Sequence, residues 1–171
     1  MQLEYEKMKI DWPKRGHAYT QKDLFGLTNL LTNDRGLTAG PEVQAFETEF
    51  AEKFKLGQCF ATMSCAHALD IIGKLIIDDD DAEVILPAHT YCASAIGFAR
   101  AGAKLIWADI DEAHLTITLD EVKRLTTPRT KAIIVVHLYG LICPEIKQIV
   151  NYAKSLNIKV IEDSAQCIGA R

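Results

Sequence analysis

Close cysteine pairs are missing from this 171-residue chain. Its five cysteines (Cys59, Cys65, Cys92, Cys143 and Cys167) are an odd number, lie far apart and form no C-x-x-C motif. Zinc centres depend on closely spaced ligands, and disulfide frameworks on an even, denser set. The sequence therefore predicts neither, and the cysteines read as small buried residues of a reducing compartment. Concentrated positive charge is also missing: 19 Lys and Arg are scattered among 23 Asp and Glu, giving a net charge of −4. Binding to a phosphate backbone needs a clustered basic footprint, so nucleic acid is not an expected partner. Apolar runs are short. Stretches such as Ala132–Val136 fall far below the ~20 residues that span a bilayer. The charged start, Met1-Gln2-Leu3-Glu4-Tyr5-Glu6-Lys7, has no apolar stretch of the signal-peptide kind. No membrane association is expected, and the expected location is cytoplasmic. Ten glycines and five prolines exclude a collagen-like repeat.

What is present is the balance of a globular protein with a core, 49% apolar and 25% charged. Residues 1–19 read as an N-terminal lead-in segment, extended around Trp12-Pro13 and Gly16. Thr20 is placed to cap a helix over about Lys22–Leu31, with Leu24, Leu27 and Leu31 on one face. Asn33-Asp34-Arg35-Gly36 breaks it, and Gly40-Pro41 opens a second helix with proline at its first position. Val43, Phe46, Phe50 and Phe54 follow helical spacing there, and Gly57 is expected to end it.

Strands and helices then alternate. Strands are predicted at Cys59–Met63, Glu83–Leu86, Lys104–Ala108, Ala132–Val136 and Lys159–Ile161. Helices are predicted at Ala66–Ile77, Tyr91–Ala101, Leu119–Leu125 and Pro144–Leu156. The run Ile133-Ile134-Val135-Val136 is continuously apolar, the mark of a strand buried on both faces. Repeated β-α-β units predict an α/β fold, a mostly parallel, doubly wound sheet with helices on both faces. Asp78-Asp79-Asp80-Asp81 reads as a solvated turn before a strand.

In open α/β sheets ligands bind beyond the carboxyl ends of the strands. Nucleotide signatures are missing there: neither G-x-G-x-x-G nor G-x-x-x-x-G-K-[ST] occurs, nor does a G-x-S-x-G nucleophile elbow. The residues that do follow strands form a different set. Ser64-Cys65-Ala66 leads into a helix, whose first amides can hold a phosphate. Tyr91 offers a flat ring for stacking, and also suits a core position at a helix start. Asp163 ends an apolar strand, where a carboxylate is costly without a partner. Phosphate cradle, aromatic plate and carboxylate together suit pyridoxal 5′-phosphate, whose ring nitrogen must stay protonated to act as an electron sink. His67, His89 and His137 read as structural, and Glu162 as support for its loop.

The chain resembles the DegT/StrS family of sugar-nucleotide aminotransferases, fold-type-I pyridoxal-phosphate enzymes. The residues carrying the resemblance are Gly40-Pro41-Glu42-Val43 with Phe46-Glu47, Leu86-Pro87 with Thr90-Tyr91, and Asp109-Ile110-Asp111. To these are added Thr130-Lys131-Ala132-Ile133-Ile134, Val136-His137-Leu138-Tyr139-Gly140 and Ile161-Glu162-Asp163-Ser164-Ala165-Gln166. The resemblance implies that Asp163 pairs with the pyridinium nitrogen, Gln166 contacts the phenolic oxygen and Tyr91 stacks on the ring. The amides of Cys65 and Ala66 would bind the phosphate. It further implies transfer of an amino group from an amino-acid donor, glutamate, to a nucleotide-linked keto-sugar, by a homodimer. Gln166 also suits an ordinary loop role.

Two departures from the family pattern stand out. Ser64-Cys65-Ala66 replaces Ser-Gly-Thr, so a threonine hydroxyl is lost and a side chain enters where glycine permits close approach. The family's Schiff-base lysine lies some twenty residues past the Glu-Asp-Ser-Ala-Gln segment, beyond Arg171. Residues 20–171 are accordingly expected to be a partial cofactor-binding large domain, lacking its C-terminal part and small domain. The isolated chain is expected to be marginally stable, with exposed apolar sheet surface, and to have no catalytic residue of its own. A dehydratase of the same family, with histidine in place of the lysine, and a non-catalytic partner chain are the alternatives.

Overall fold

The computed structural model describes residues 19–32, 38 and 40–170. The lead-in segment, apart from Tyr19, and the Asn33–Gly36 break lie outside the described residues. The chain divides into two compact units, Met1–Cys59 and Phe60–Arg171.

In the first unit, α1 (Gln21–Thr32) begins at a reciprocal cap. Thr20 Oγ1 accepts the Asp23 amide at 3.3 Å, and the Thr20 amide donates to Asp23 Oδ2 at 2.7 Å. Two otherwise orphaned donors are thereby satisfied. Helix α2 (Pro41–Phe54) starts with proline, as its sequence predicts. Phe46, Phe50 and Phe54 line up along it, with ring centroids 5.6 and 4.6 Å apart. Gly57 does not close this helix. Lys55 takes the left-handed cap conformation (φ 55°), and Leu56 donates back to the Ala51 carbonyl at 2.9 Å.

The second unit runs α3 (Cys65–Ile76), β1 (Glu83–Pro87), α4 (Ala93–Arg100), β2 (Lys104–Ala108), α5 (Leu119–Leu125), β3 (Thr130–Val136), α6 (Ile146–Ser155) and β4 (Lys159–Asp163). Its four strands are all parallel, in the order β2-β1-β3-β4. The central strands explain the continuous apolar runs, because alternate residues face opposite helix layers. Val84, Leu86, Ile134 and Val136 pack with Leu69 of α3 and Phe98 of α4. Ile85, Ile133 and Val135 pack with Val122 of α5 and Ile149 of α6. Each such side chain, when fully buried, contributes roughly 1.5–3 kcal/mol. The edge strand β2 is less covered, and its Trp107 is exposed.

Helices α3 and α4 touch through two glycines. A Cβ at Gly97 would lie 2.8 Å from the backbone of Leu69 and Asp70, and one at Gly73 would lie 2.9 Å from the Gly97 oxygen.

Two expectations are corrected. Cys59–Met63 forms no strand. An apolar stretch becomes a strand only by sharing a ladder, and this one joins none among the described residues. Nor are all the cysteines buried. Cys143 and Cys167 are, whereas Cys65 and Cys92 are exposed because they sit at helix starts above the sheet.

Candidate functional site

After β1 the chain crosses to β2 on one side, and β3 then starts on the other side of β1. Connections leaving adjacent strands in opposite directions open a crevice at their carboxyl ends. A pocket of about 390 Å³ occupies that place. Cys65, Ala66, Tyr91, Asp163 and Gln166, all singled out from sequence, line this one pocket.

Asp163 is its buried charge. It ends β4 opposite Val136 of β3, and is only 7% exposed. Like Ile161 two residues earlier, it faces the α3/α4 layer. Ser94 Oγ donates to Oδ2 at 2.7 Å, while the Ala165 amide and the Cys65 thiol donate to Oδ1 at 3.2 and 3.5 Å. Thr90 Oγ1 lies 2.9 Å behind Ser94 Oγ, so the serine hydroxyl is oriented as a donor to the carboxylate. No ion pair to Asp163 forms among the described residues. A buried carboxylate served only by neutral donors favours a cationic ligand group.

Opposite it, Ser64 caps α3, its side chain accepting the His67 amide. Cys65 and Ala66 are the first two helical residues, whose amides have no intrahelical acceptor. They suit an anionic group, aided by the helix dipole. Although Cys65 as a residue is exposed, its thiol lies part-buried in the pocket, and its pKa is pushed up to about 11, first by that burial and then by the Asp163 charge and hydrogen bond. Tyr91 precedes α4 and is 72% exposed, its ring available rather than committed to the core. Gln166 Oε1 accepts the Tyr139 amide at 2.9 Å.

His137 is structural in geometry. Its Nδ1 accepts the Cys143 amide at 3.1 Å, so Nε2 carries the proton towards Glu162, 3.0 Å away. Glu162 thus supports the loop after β3. Ser94 was not legible as a site residue; the sequence signal is a lone hydroxyl on the otherwise apolar inward face of a helix.

An open parallel sheet with a crevice at its switch point, mostly apolar and holding one buried carboxylate, is the architecture of the α/β class whose ligands bind at that place. The chain matches the DegT/DnrJ/EryC1/StrS aminotransferase family over residues 19–171, and belongs to it. It is 35% identical over 150 residues to a dTDP-3-amino-3,6-dideoxy-alpha-D-galactopyranose transaminase of Aneurinibacillus thermoaerophilus, covering 88% of this chain and 41% of that protein. The crystal structure of an aminotransferase from Psychrobacter cryohalolentis is similar at a TM-score of 0.81 and 35% identity, over 90% of this chain and 39% of that one. NtdA from Bacillus subtilis, solved with bound cofactor PMP, is similar at a TM-score of 0.78 and 33% identity, over 85% of this chain and 33% of that one. The chain therefore spans between a third and about two fifths of the length of these relatives. Among the described residues, no helix is long and apolar enough to cross a membrane.

Proposed function

We propose that this pocket holds pyridoxal 5′-phosphate, and that the chain is the cofactor-binding part of a large domain in a sugar-nucleotide aminotransferase. When bound, the cofactor supplies the electron sink for moving an amino group from an amino-acid donor, glutamate, to a nucleotide-linked keto-sugar. The observation that carries the reading is Asp163, a buried carboxylate at a switch-point crevice with donors but, among the described residues, no cation. Asp163 holds the protonated ring nitrogen, and Ser94 keeps its carboxylate oriented. The Cys65 and Ala66 amides take the phosphate, Tyr91 covers the ring face, and Gln166 turns its amide towards the phenolic oxygen. The working assembly is a homodimer.

The pocket lining contains no lysine among the described residues. The 171-residue chain is therefore expected to bind cofactor without transferring an amino group from glutamate. The test is a titration with pyridoxal 5′-phosphate followed by absorbance. Asp163→Asn, which removes the charge but keeps the shape, should weaken binding at least about tenfold, as expected for a lost hydrogen bond to a charged group. Equal affinity in the two proteins would overturn the assignment.

A further inference from the structure

The thiol of Cys65 points at the same carboxylate that the cofactor ring is expected to use. Both oxygens of Asp163 already have donors. Oδ2 has the Ser94 hydroxyl at 2.7 Å, and Oδ1 has the Ala165 amide at 3.2 Å together with the Cys65 thiol at 3.5 Å. The amide belongs to the backbone just after β4 and Ser94 is buried in α4, so neither donor moves readily. The thiol differs. It is a weak donor, it stands on the first residue of α3, and it lines the open pocket. It is the donor that gives way when a stronger one arrives.

Resting on the cofactor reading above, we propose that the Cys65 thiol competes with the ring nitrogen of pyridoxal 5′-phosphate for the Asp163 carboxylate, so that Cys65 sets the affinity of the site. The competition is one of hydrogen bonds alone, with no covalent step. The upward shift of the thiol pKa, caused first by burial and then by the Asp163 charge and hydrogen bond, agrees with this, because the thiol keeps its proton beside the carboxylate. Backbone binding of phosphate at Cys65 and Ala66 needs no side chain, so exchanging Cys65 leaves that contact available.

Four proteins test this: the unaltered chain, Cys65→Ala, Cys65→Ser and Asp163→Asn. Far-UV circular dichroism checks that each is folded. Cys65→Ala removes the competing donor while keeping the helix start, and should tighten pyridoxal 5′-phosphate binding by roughly two- to threefold, the low end of one hydrogen bond's worth, as suits a weak donor. Cys65→Ser keeps a donor on the same carbon, and should bind no more tightly than the unaltered chain. Independently of any cofactor, the pH midpoint for alkylation of Cys65 should lie near 11 in the unaltered chain. In Asp163→Asn it should fall towards the ordinary thiol range. Unchanged or weaker binding by Cys65→Ala, while the unaltered chain binds, would overturn the competition and leave the cofactor reading standing. If no variant binds the cofactor although the alkylation midpoint still follows Asp163, the cofactor reading fails and the competition falls with it.

Discussion

The carboxamide oxygen of Gln166 accepts the backbone N–H of Tyr139 at 2.9 Å, across a gap of 27 residues in sequence. Tyr139 adopts a left-handed conformation (φ 57°) to present that amide, in the turn that His137 fastens through Cys143. With its oxygen engaged, Gln166 has its NH₂ group left for the pocket it lines. The amide acts there as a donor, which suits an electron-rich ligand oxygen.

Gln166→Glu therefore keeps an oxygen to accept the Tyr139 amide but exchanges the NH₂ donor for a negative charge. Pyridoxal 5′-phosphate should bind about tenfold or more weakly, in line with roughly 1.5–3 kcal/mol for a hydrogen bond to a charged group. Absorbance titration of the two proteins side by side checks it. Unchanged affinity would return Gln166 to the role of a loop residue.

The glycine contact between α3 and α4 makes a stability prediction. Gly97→Ala places a methyl 2.8 Å from backbone atoms of α3, and backbone cannot swing aside as a side chain can. The helices must separate, at a cost of about 1–3 kcal/mol. Gly26, in α1, has nothing within 4 Å of its Cβ position. Gly26→Ala should be neutral or stabilise by up to about 1 kcal/mol through helix propensity. Urea midpoints of the two variants should move in different directions or by clearly different amounts.

Acid sensitivity should come from Glu83, at the amino end of the sheet, and from Glu121, which accepts the Asp109 amide just past the carboxyl end of β2. Glu83 is 1% exposed at the start of β1. It accepts from Thr127 Oγ1 and from Arg129 Nη2 at 2.9 Å, with Lys104 Nζ 3.7 Å away. The Thr127 hydrogen bond, helped by Arg129 and Lys104, holds its carboxyl below the usual range against the opposing effect of burial. Glu121, paired with Arg124, is lowered to about 2. Because these folded values lie below the unfolded ones, their stabilisation is complete above the ordinary glutamate range and is lost as pH falls through the folded values. Thermal melts should drop progressively below about pH 4.3, the unfolded glutamate value. Glu83→Gln should cost about 1–3 kcal/mol at pH 7 and flatten that acid slope. An unchanged slope would shift the acid response to other carboxylates.

Much of this protein was readable in one dimension. The continuous apolar runs of β1 and β3 could only be strands covered on both faces, and the helices between them follow as crossovers. Asp163 stood out because a carboxylate ending such a strand needs a partner. Tyr91 and Gln166 stood out because they follow strand ends, or match a motif there, and Cys65 because it starts a helix, although the strand predicted before it does not form.

What the sequence could not supply was everything that depends on which segments become neighbours. Cys59–Met63 has a strand's composition, yet strand formation is decided by a ladder partner outside the segment. Gly73 and Gly97 are unremarkable until two helices cross there, and Ser94 is one hydroxyl on an apolar helix face until β4 brings Asp163 within 2.7 Å. The same placement brings the Cys65 thiol onto that carboxylate across 98 residues of chain. Local propensity and burial period are written along the chain and fix the α/β class. Side-chain contacts between distant segments are set by strand order and helix packing, and those alone turn five separate residues into one pocket.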